Sequence, residues 1–145
     1  MSTSTFLFPD VNVWLALNYP AHIHHEAAER WYESSDSPPI LIFCRHTQLS
    51  LFRLLGTEAI LGQDVLSQRR CWTVFDEWIV SGDAAFAEEP AELEAALRLR
   101  TSGDSTSPKT WADAYLAAFA EAANLTLVTF DRALAGKAEG AVLLG

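Results

Sequence analysis

Short apolar runs alternate with amphipathic stretches along the chain, and that alternation predicts its elements. Phe6-Leu7-Phe8, Ile40 to Phe43 and Leu125 to Phe130 are brief and almost wholly hydrophobic, as strands covered on both faces are. Strand 5–8 leads into a helix over about 11–17 that Pro20 interrupts. A second helix is predicted from about His22 to Ser34, with Ala27, Ala28, Trp31 and Tyr32 on its apolar side. Ser-Asp-Ser-Pro-Pro breaks the chain before strand 40–43, and a helix over 47–55 ends at Gly56. Leu66, Trp72, Phe75, Trp78 and Ile79 fall at helical spacing within 65–80, and Ser81-Gly82 turns the chain. A short strand at 84–87, a helix from Pro90 to about Arg100 and a polar loop at 102–107 follow. Helix 109–123, strand 125–130, a short helix after Asp131 and a terminal strand at 142–144 complete the chain. This β-α repetition implies an α/β fold with a mostly parallel central sheet flanked by helices on both faces. With 145 residues, half of them hydrophobic, the chain is expected to form a single domain over 1–145.

Three aspartates stand where a strand or loop runs into a helix: Asp10, Asp113 and Asp131. In open α/β sheets ligand sites lie outside the carboxyl ends of the strands. Asp10 and Asp131 would both be delivered to that rim, and a helix entering from the same side would turn Asp113 toward them. Converging carboxylates repel: at about 4 Å and an effective dielectric near 20, each ionised pair costs roughly 4 kcal/mol. A hard divalent cation removes that cost, and Mg²⁺ characteristically binds a few carboxylates together with waters and phosphate oxygens. An acidic metal site is therefore the predicted chemistry.

The formal net charge of −9 argues against a broad nucleic-acid-binding face, which shows clustered Lys and Arg. A bound metal inverts the local field, however, and Arg45, Arg53, Lys109 and Arg132 lie close in sequence to the acids. The same acidity fits a basic protein partner. Met1 to Thr5 lacks the basic and apolar segments of a secretory signal, and no apolar stretch is long enough to span a bilayer. A cytoplasmic protein with no membrane contact is expected. Cys44 and Cys71 have no Cys-x-x-Cys neighbour and read as small buried residues.

Taken together, Asp10-Val-Asn12 after the first strand, Thr47-Gln48-Leu49 with Arg53 downstream, Trp111-Ala-Asp113-Ala-Tyr115-Leu116 and Leu127-Val-Thr129-Phe-Asp131 carry a resemblance over nearly the whole chain. The sequence resembles PIN-domain ribonucleases, and within them the VapC-type toxins of bacterial toxin–antitoxin pairs. The resemblance implies an endoribonuclease using Mg²⁺ or Mn²⁺, with Asp10, Asp113 and Asp131 as metal ligands and catalytic groups. Water would attack a phosphodiester of an RNA substrate while the cation polarises a phosphoryl oxygen. It further implies a homodimer, neutralised by a cognate antitoxin that sets a basic side chain among the three acids. Many members carry a glutamate in the helix after the second strand. This chain departs there, with Gln48, whose amide oxygen accepts a hydrogen bond but brings no charge. Asn12 and Thr129 are candidate supports for Asp10 and Asp131, and Arg45 and Arg53 for the phosphate.

Each of these residues has a structural alternative. Asp10 and Asp131 suit helix N-caps, and Thr110-Trp-Ala-Asp113 reads as a capping box that competes with a helix start at Ser107-Pro108. His22, His24 and His25 scatter over different faces at a helix start, with no fourth ligand nearby, and read as surface or capping residues. The tryptophans fall at helical apolar spacing and belong to the core or an oligomer interface, Trp111 beside Asp113 being the one to watch. A haloacid-dehalogenase-like phosphohydrolase needs an aspartate where this chain has Asn12, and a receiver domain needs paired acids near the first strand. The rival that survives is a PIN-fold protein without strong catalysis that binds RNA or a protein partner, since Gln48 removes one charge from the site.

Overall fold

A computed structural model describes residues 5–145, so most of the segment read for a leader pattern lies outside the described residues. Five parallel strands form one sheet in the order β3-β2-β1-β4-β5. They are β1 (Phe6–Pro9), β2 (Ile40–Phe43), β3 (Ala84–Phe86), β4 (Thr126–Thr129) and β5 (Val142–Leu143). The order reverses between β1 and β4, whose register pairs Phe8 with Leu127 and Pro9 with Val128. That reversal is the topological switch point at which doubly wound sheets open a crevice.

Helices cover both faces. Each strand sends alternate side chains to opposite layers, because the strand period is two. Phe8, Ile42 and Leu127 meet α6 (Leu93–Arg100), α7 (Lys109–Ala122) and α8 (Arg132–Ala135) on one side. Leu41 and Phe43 meet α1 (Val11–Asn18), α2 (His25–Glu33), α3 (Arg45–Leu55), α4 (Glu58–Leu61) and α5 (Gln68–Val80) on the other. The second layer is built on aromatics: fully buried Trp14 stacks on Phe43 with ring centroids 3.7 Å apart, and Trp78 meets Trp14 edge-on at 5.2 Å. The edge-on contact is a geometry that ring quadrupoles favour. Cys44 and Cys71 are free and buried. Among the described residues no helix is long and apolar enough to cross a membrane.

Apart from one short helix, the differences from the sequence reading lie at element ends. The second helix starts at His25, not His22: Tyr19 is extended (φ −126°, ψ 100°), as a residue before proline must be, and His22 to His24 form turns. α3 starts two residues earlier than predicted, capped at Cys44. α5 begins at Gln68, where the Ser67 hydroxyl accepts the Arg70 N–H at 3.3 Å, so Val65 and Leu66 lie outside it. Pro90 opens a turn, not helix α6. The four-residue α4 is too short to show a period and had no counterpart in the pattern.

Candidate active site

Asp10 follows β1 directly and Asp131 follows β4 after Phe130, so the two carboxylates flank the switch point on adjacent strands. Both are helix caps, and in both the second carboxylate oxygen has a partner outside the cap. Asp10 Oδ1 accepts the Val11 N–H at 2.7 Å, while its Oδ2 accepts the Thr129 hydroxyl at 3.0 Å. Asp131 Oδ1 accepts the N–H groups of Ala133 and Leu134 at 2.9 and 3.2 Å, and its Oδ2 faces the Lys109 ammonium at 3.1 Å. The capping reading and the site reading thus use different atoms of the same side chains. Thr129, fully buried, ties the pair together: its hydroxyl donates to Asp10 and accepts the backbone N–H of Asp131 at 3.0 Å.

Asp113 reaches the rim from the first turns of α7. Helix α7 begins at Lys109 with Pro108 at the cap position, so Thr110 lies inside the helix and the expected capping box does not form. Buried Asp113 is therefore free to meet Lys137, whose Nζ donates to its Oδ2 at 3.4 Å. Lys137 lies between α8 and β5 in sequence, and nothing local in the sequence connects it with Asp113.

The electrostatics place the three acids in one field. Burial pushes the Asp10 carboxyl above its ordinary value; the hydrogen bonds from Thr129 and Val11 oppose this, and the charges of Asp131 and Asp113 add to it. Asp131 is also pulled upward by burial, but the Lys109 hydrogen bond, the Leu134 and Ala133 N–H groups and the Lys109 charge outweigh that, and it is held low. Lys109 is held above its ordinary value by its bond to Asp131 and by the charges of Asp131, Asp113 and Asp10. In this arrangement two lysines stand against the acids where a cation would neutralise them. Among the described residues no three His, Cys, Asp or Glu side chains form a ready-made ligand cluster. The donor chemistry, all carboxylate oxygen, nonetheless fits a hard divalent cation once the lysines withdraw.

The remaining predicted residues distribute along the rim. Asn12 is exposed, and Asp10 is held by Val11 and Thr129 instead. Gln48 is buried in α3 and accepts an N–H of Arg45 at 2.6 Å. Arg45 lies over the Phe86 ring at 4.6 Å, at the end of β3. Arg53 is exposed on the same helix, and burial lowers the His46 imidazole, opposed by the Asp10 charge and aided by that of Arg53. His46, packed against the Tyr115 ring at 5.5 Å, was missed by the sequence reading although it adjoins Arg45. The histidine segment holds no ligand set: His24 donates its N–H to His22 Nδ1 at 3.0 Å and stacks on Phe130, and His25 bridges the Ala16 carbonyl and Glu29. Trp111 is 62% exposed and Trp72 47%, so the tryptophans are divided between core and surface.

Comparison with known proteins places this rim in a family. The PIN domain profile matches residues 7–140. Ribonuclease VapC41 of Mycobacterium tuberculosis is 40% identical over 131 residues, covering 88% of this chain and 90% of that protein. Ribonuclease VapC29 of the same organism is 32% identical over 129 residues, covering 87% and 86%. The crystal structure of Mycobacterium tuberculosis VapC20, a sarcin–ricin-loop-cleaving toxin, superimposes with a TM-score of 0.65 over 90% of this chain and 93% of that one, at 17% identity, a likeness of fold. The chain belongs to the PIN domain family and, within it, groups with the VapC-type ribonucleases.

Proposed function

We propose that this protein is a divalent-cation-dependent endoribonuclease that serves as the toxin of a bacterial toxin–antitoxin pair. The observation that carries the reading is Asp10, Asp113 and Asp131 gathered at the switch point of a parallel sheet, in a chain 40% identical to a VapC ribonuclease. Mg²⁺ or Mn²⁺ held by these carboxylates supplies Lewis acidity toward a phosphoryl oxygen. The chain's own residues do the rest. Thr129 and Val11 fix Asp10, and Thr129 fixes the backbone from which Asp131 projects. Asp113 serves as a further oxygen donor or takes the proton of the attacking water. That water forms the new P–O bond as the bond to the 3′ oxygen breaks, leaving a 5′ phosphate and a 3′ hydroxyl. Lys109, Arg45 and Arg53 offset the chain's negative charge along the path of the RNA backbone.

The working form in this reading is a cytoplasmic homodimer, silenced by an antitoxin that inserts a basic side chain among the three acids. The ion pairs of Lys109 and Lys137 show that the cluster accepts ammonium groups. Gln48 supports a second reading, a PIN-fold protein that binds RNA or a partner with little cleavage, because its oxygen is engaged by Arg45 and contributes no charge. Incubating the purified protein with a mixed RNA pool, with and without Mg²⁺ or Mn²⁺, and sequencing the new ends separates the two. New 5′-phosphate ends that require the cation are expected. Full-rate cleavage in excess chelator overturns metal dependence, and binding without any cleavage selects the second reading. Co-expression with the product of an adjacent reading frame is expected to restore growth and give a co-purifying complex; a monomer without effect on growth counts against the toxin role.

A further inference from the structure

Resting on the reading of this rim as an RNA-cleaving site, we propose that Gln48 is a positioning residue that holds Arg45 toward an RNA phosphate without neutralising it. Gln48 is 1% exposed, so its amide orientation is fixed by its surroundings, and an amide oxygen 2.6 Å from a guanidinium nitrogen can only be an acceptor facing a donor. Arg45 is thereby held twice: one N–H on Gln48 Oε1 and its carbon 4.6 Å from the centroid of the Phe86 ring. The guanidinium has five N–H groups, so most remain to face solvent, where the side chain is exposed.

Its place follows from the topology. Arg45 is the first residue of α3, two residues past the end of β2, and β2 adjoins β1. Phe86 ends β3, and the neighbouring His46 feels the charge of Asp10. The rim therefore runs from Phe86 and Arg45 to Asp10 and then Asp131, and a polynucleotide laid along it meets Arg45 on the β2–β3 side of the acids.

The neutrality of residue 48 is what gives the arrangement a use. A carboxylate in the same place would orient Arg45 equally well but would form an ion pair with it and offset the charge that a phosphate needs. In a chain of net charge −9, an oriented and uncompensated guanidinium beside the acids is scarce. A charged, preorganised fork also loses less side-chain freedom on binding than a free arginine.

The test measures binding of a fluorescent single-stranded RNA of mixed sequence to the full chain in chelator, by anisotropy over a range of salt concentrations. Arg45→Gln and Gln48→Glu are each expected to weaken binding about tenfold, as loss of a charge-assisted contact does, and to reduce the salt slope by about 0.7, the value for one phosphate on a single strand. Gln48→Met, which keeps the volume and removes the acceptor, is expected to weaken binding about threefold with the slope retained, because Arg45 stays charged but is no longer held. Thermal melts report whether each variant folds, and Gln48→Met carries the test if the buried glutamate of Gln48→Glu is not tolerated. If Arg45→Gln weakens binding while both Gln48 variants bind like the parent, the positioning role is overturned and the RNA-site reading stands. If Arg45→Gln binds like the parent and the parent binds saturably, Arg45 is not a phosphate contact and the inference falls while the RNA-site reading stands; if the parent shows no saturable binding, both fall.

Discussion

Asp10 and Asp131 are caps and candidate ligands at once, and substitution by asparagine separates the two roles because asparagine caps about as well as aspartate. Each is expected to abolish cleavage by more than the roughly 10–100-fold that even indirect partners of a metal cost, with the fold intact. The double variant should be scarcely worse than either single one, since ligands of one ion act as a unit. Stability moves in opposite directions. Burial holds the Asp10 carboxyl above its ordinary 3.8, so its contribution is full below that pH and is lost as pH rises through the raised folded value. At pH 7 in chelator, Asp10→Asn therefore relieves a penalty and should raise the melting temperature by a few degrees. Asp131 is held low by a set of contacts that includes Lys109, so its contribution is present above 3.8 and lost as pH falls through the lowered value. Asp131→Asn should lower the melting temperature at pH 7, and equal shifts of one sign in the two variants would refute this account of the site's electrostatics.

At the scale of elements, α3 is the piece on which the rim depends, since it carries Arg45, His46, Gln48 and Arg53. Its start is pinned by Thr47, fully buried, whose hydroxyl accepts the Cys44 N–H at 3.0 Å and donates back to the Cys44 carbonyl at 3.1 Å. Thr47→Val keeps the shape and orphans the Cys44 N–H, while the Cys44 carbonyl keeps the Gln48 N–H at 3.0 Å, so a loss of about 1–3 kcal/mol is expected in denaturant unfolding; a change below about 0.5 kcal/mol would show that α3 is held by its apolar face alone. The elements themselves were largely legible, because strands buried on both faces read as unbroken apolar runs and Pro20, Gly56 and Ser81-Gly82 punctuate them. Their ends were less so. The starts at His25, Gln68 and Leu93 are decided by turns and caps that compete locally and leave the hydrophobic period unchanged. In the site, Asp10 and Asp131 could be placed from strand ends alone, whereas the pairing of Asp113 with Lys137 and the engagement of Gln48 by Arg45 depend on tertiary placement and side-chain geometry. His46 carried only a weak signal, its place beside Arg45, because a single histidine there serves equally well as a surface or packing residue.

For the whole molecule, the balance to be explained is a −9 chain that gathers three carboxylates at one edge and offsets them with Lys109 and Lys137. Both lysines are substantially exposed, 65% and 41% by side chain, so their pairs are weak and can be exchanged for a better cation. A ligand that binds only the folded state stabilises it by mass action, about 2.7 kcal/mol at a hundred times its dissociation constant. For a domain of this size that corresponds to a rise in melting temperature of roughly 5–10 °C in saturating Mn²⁺ or Mg²⁺. The rise should vanish in Asp10→Asn. The lysines compete with the ion for the same oxygens, so Lys109→Gln and Lys137→Gln should each tighten metal binding by up to about fivefold in calorimetry, the worth of one exposed pair of this kind, and more in combination. The same double substitution should weaken RNA binding, because it removes two cations from an already acidic edge. A parent melting temperature that ignores excess Mn²⁺, together with unchanged metal affinity in the double lysine variant, would mean that the acids hold lysines and nothing else, and the cluster would then be a structural network instead of a metal site.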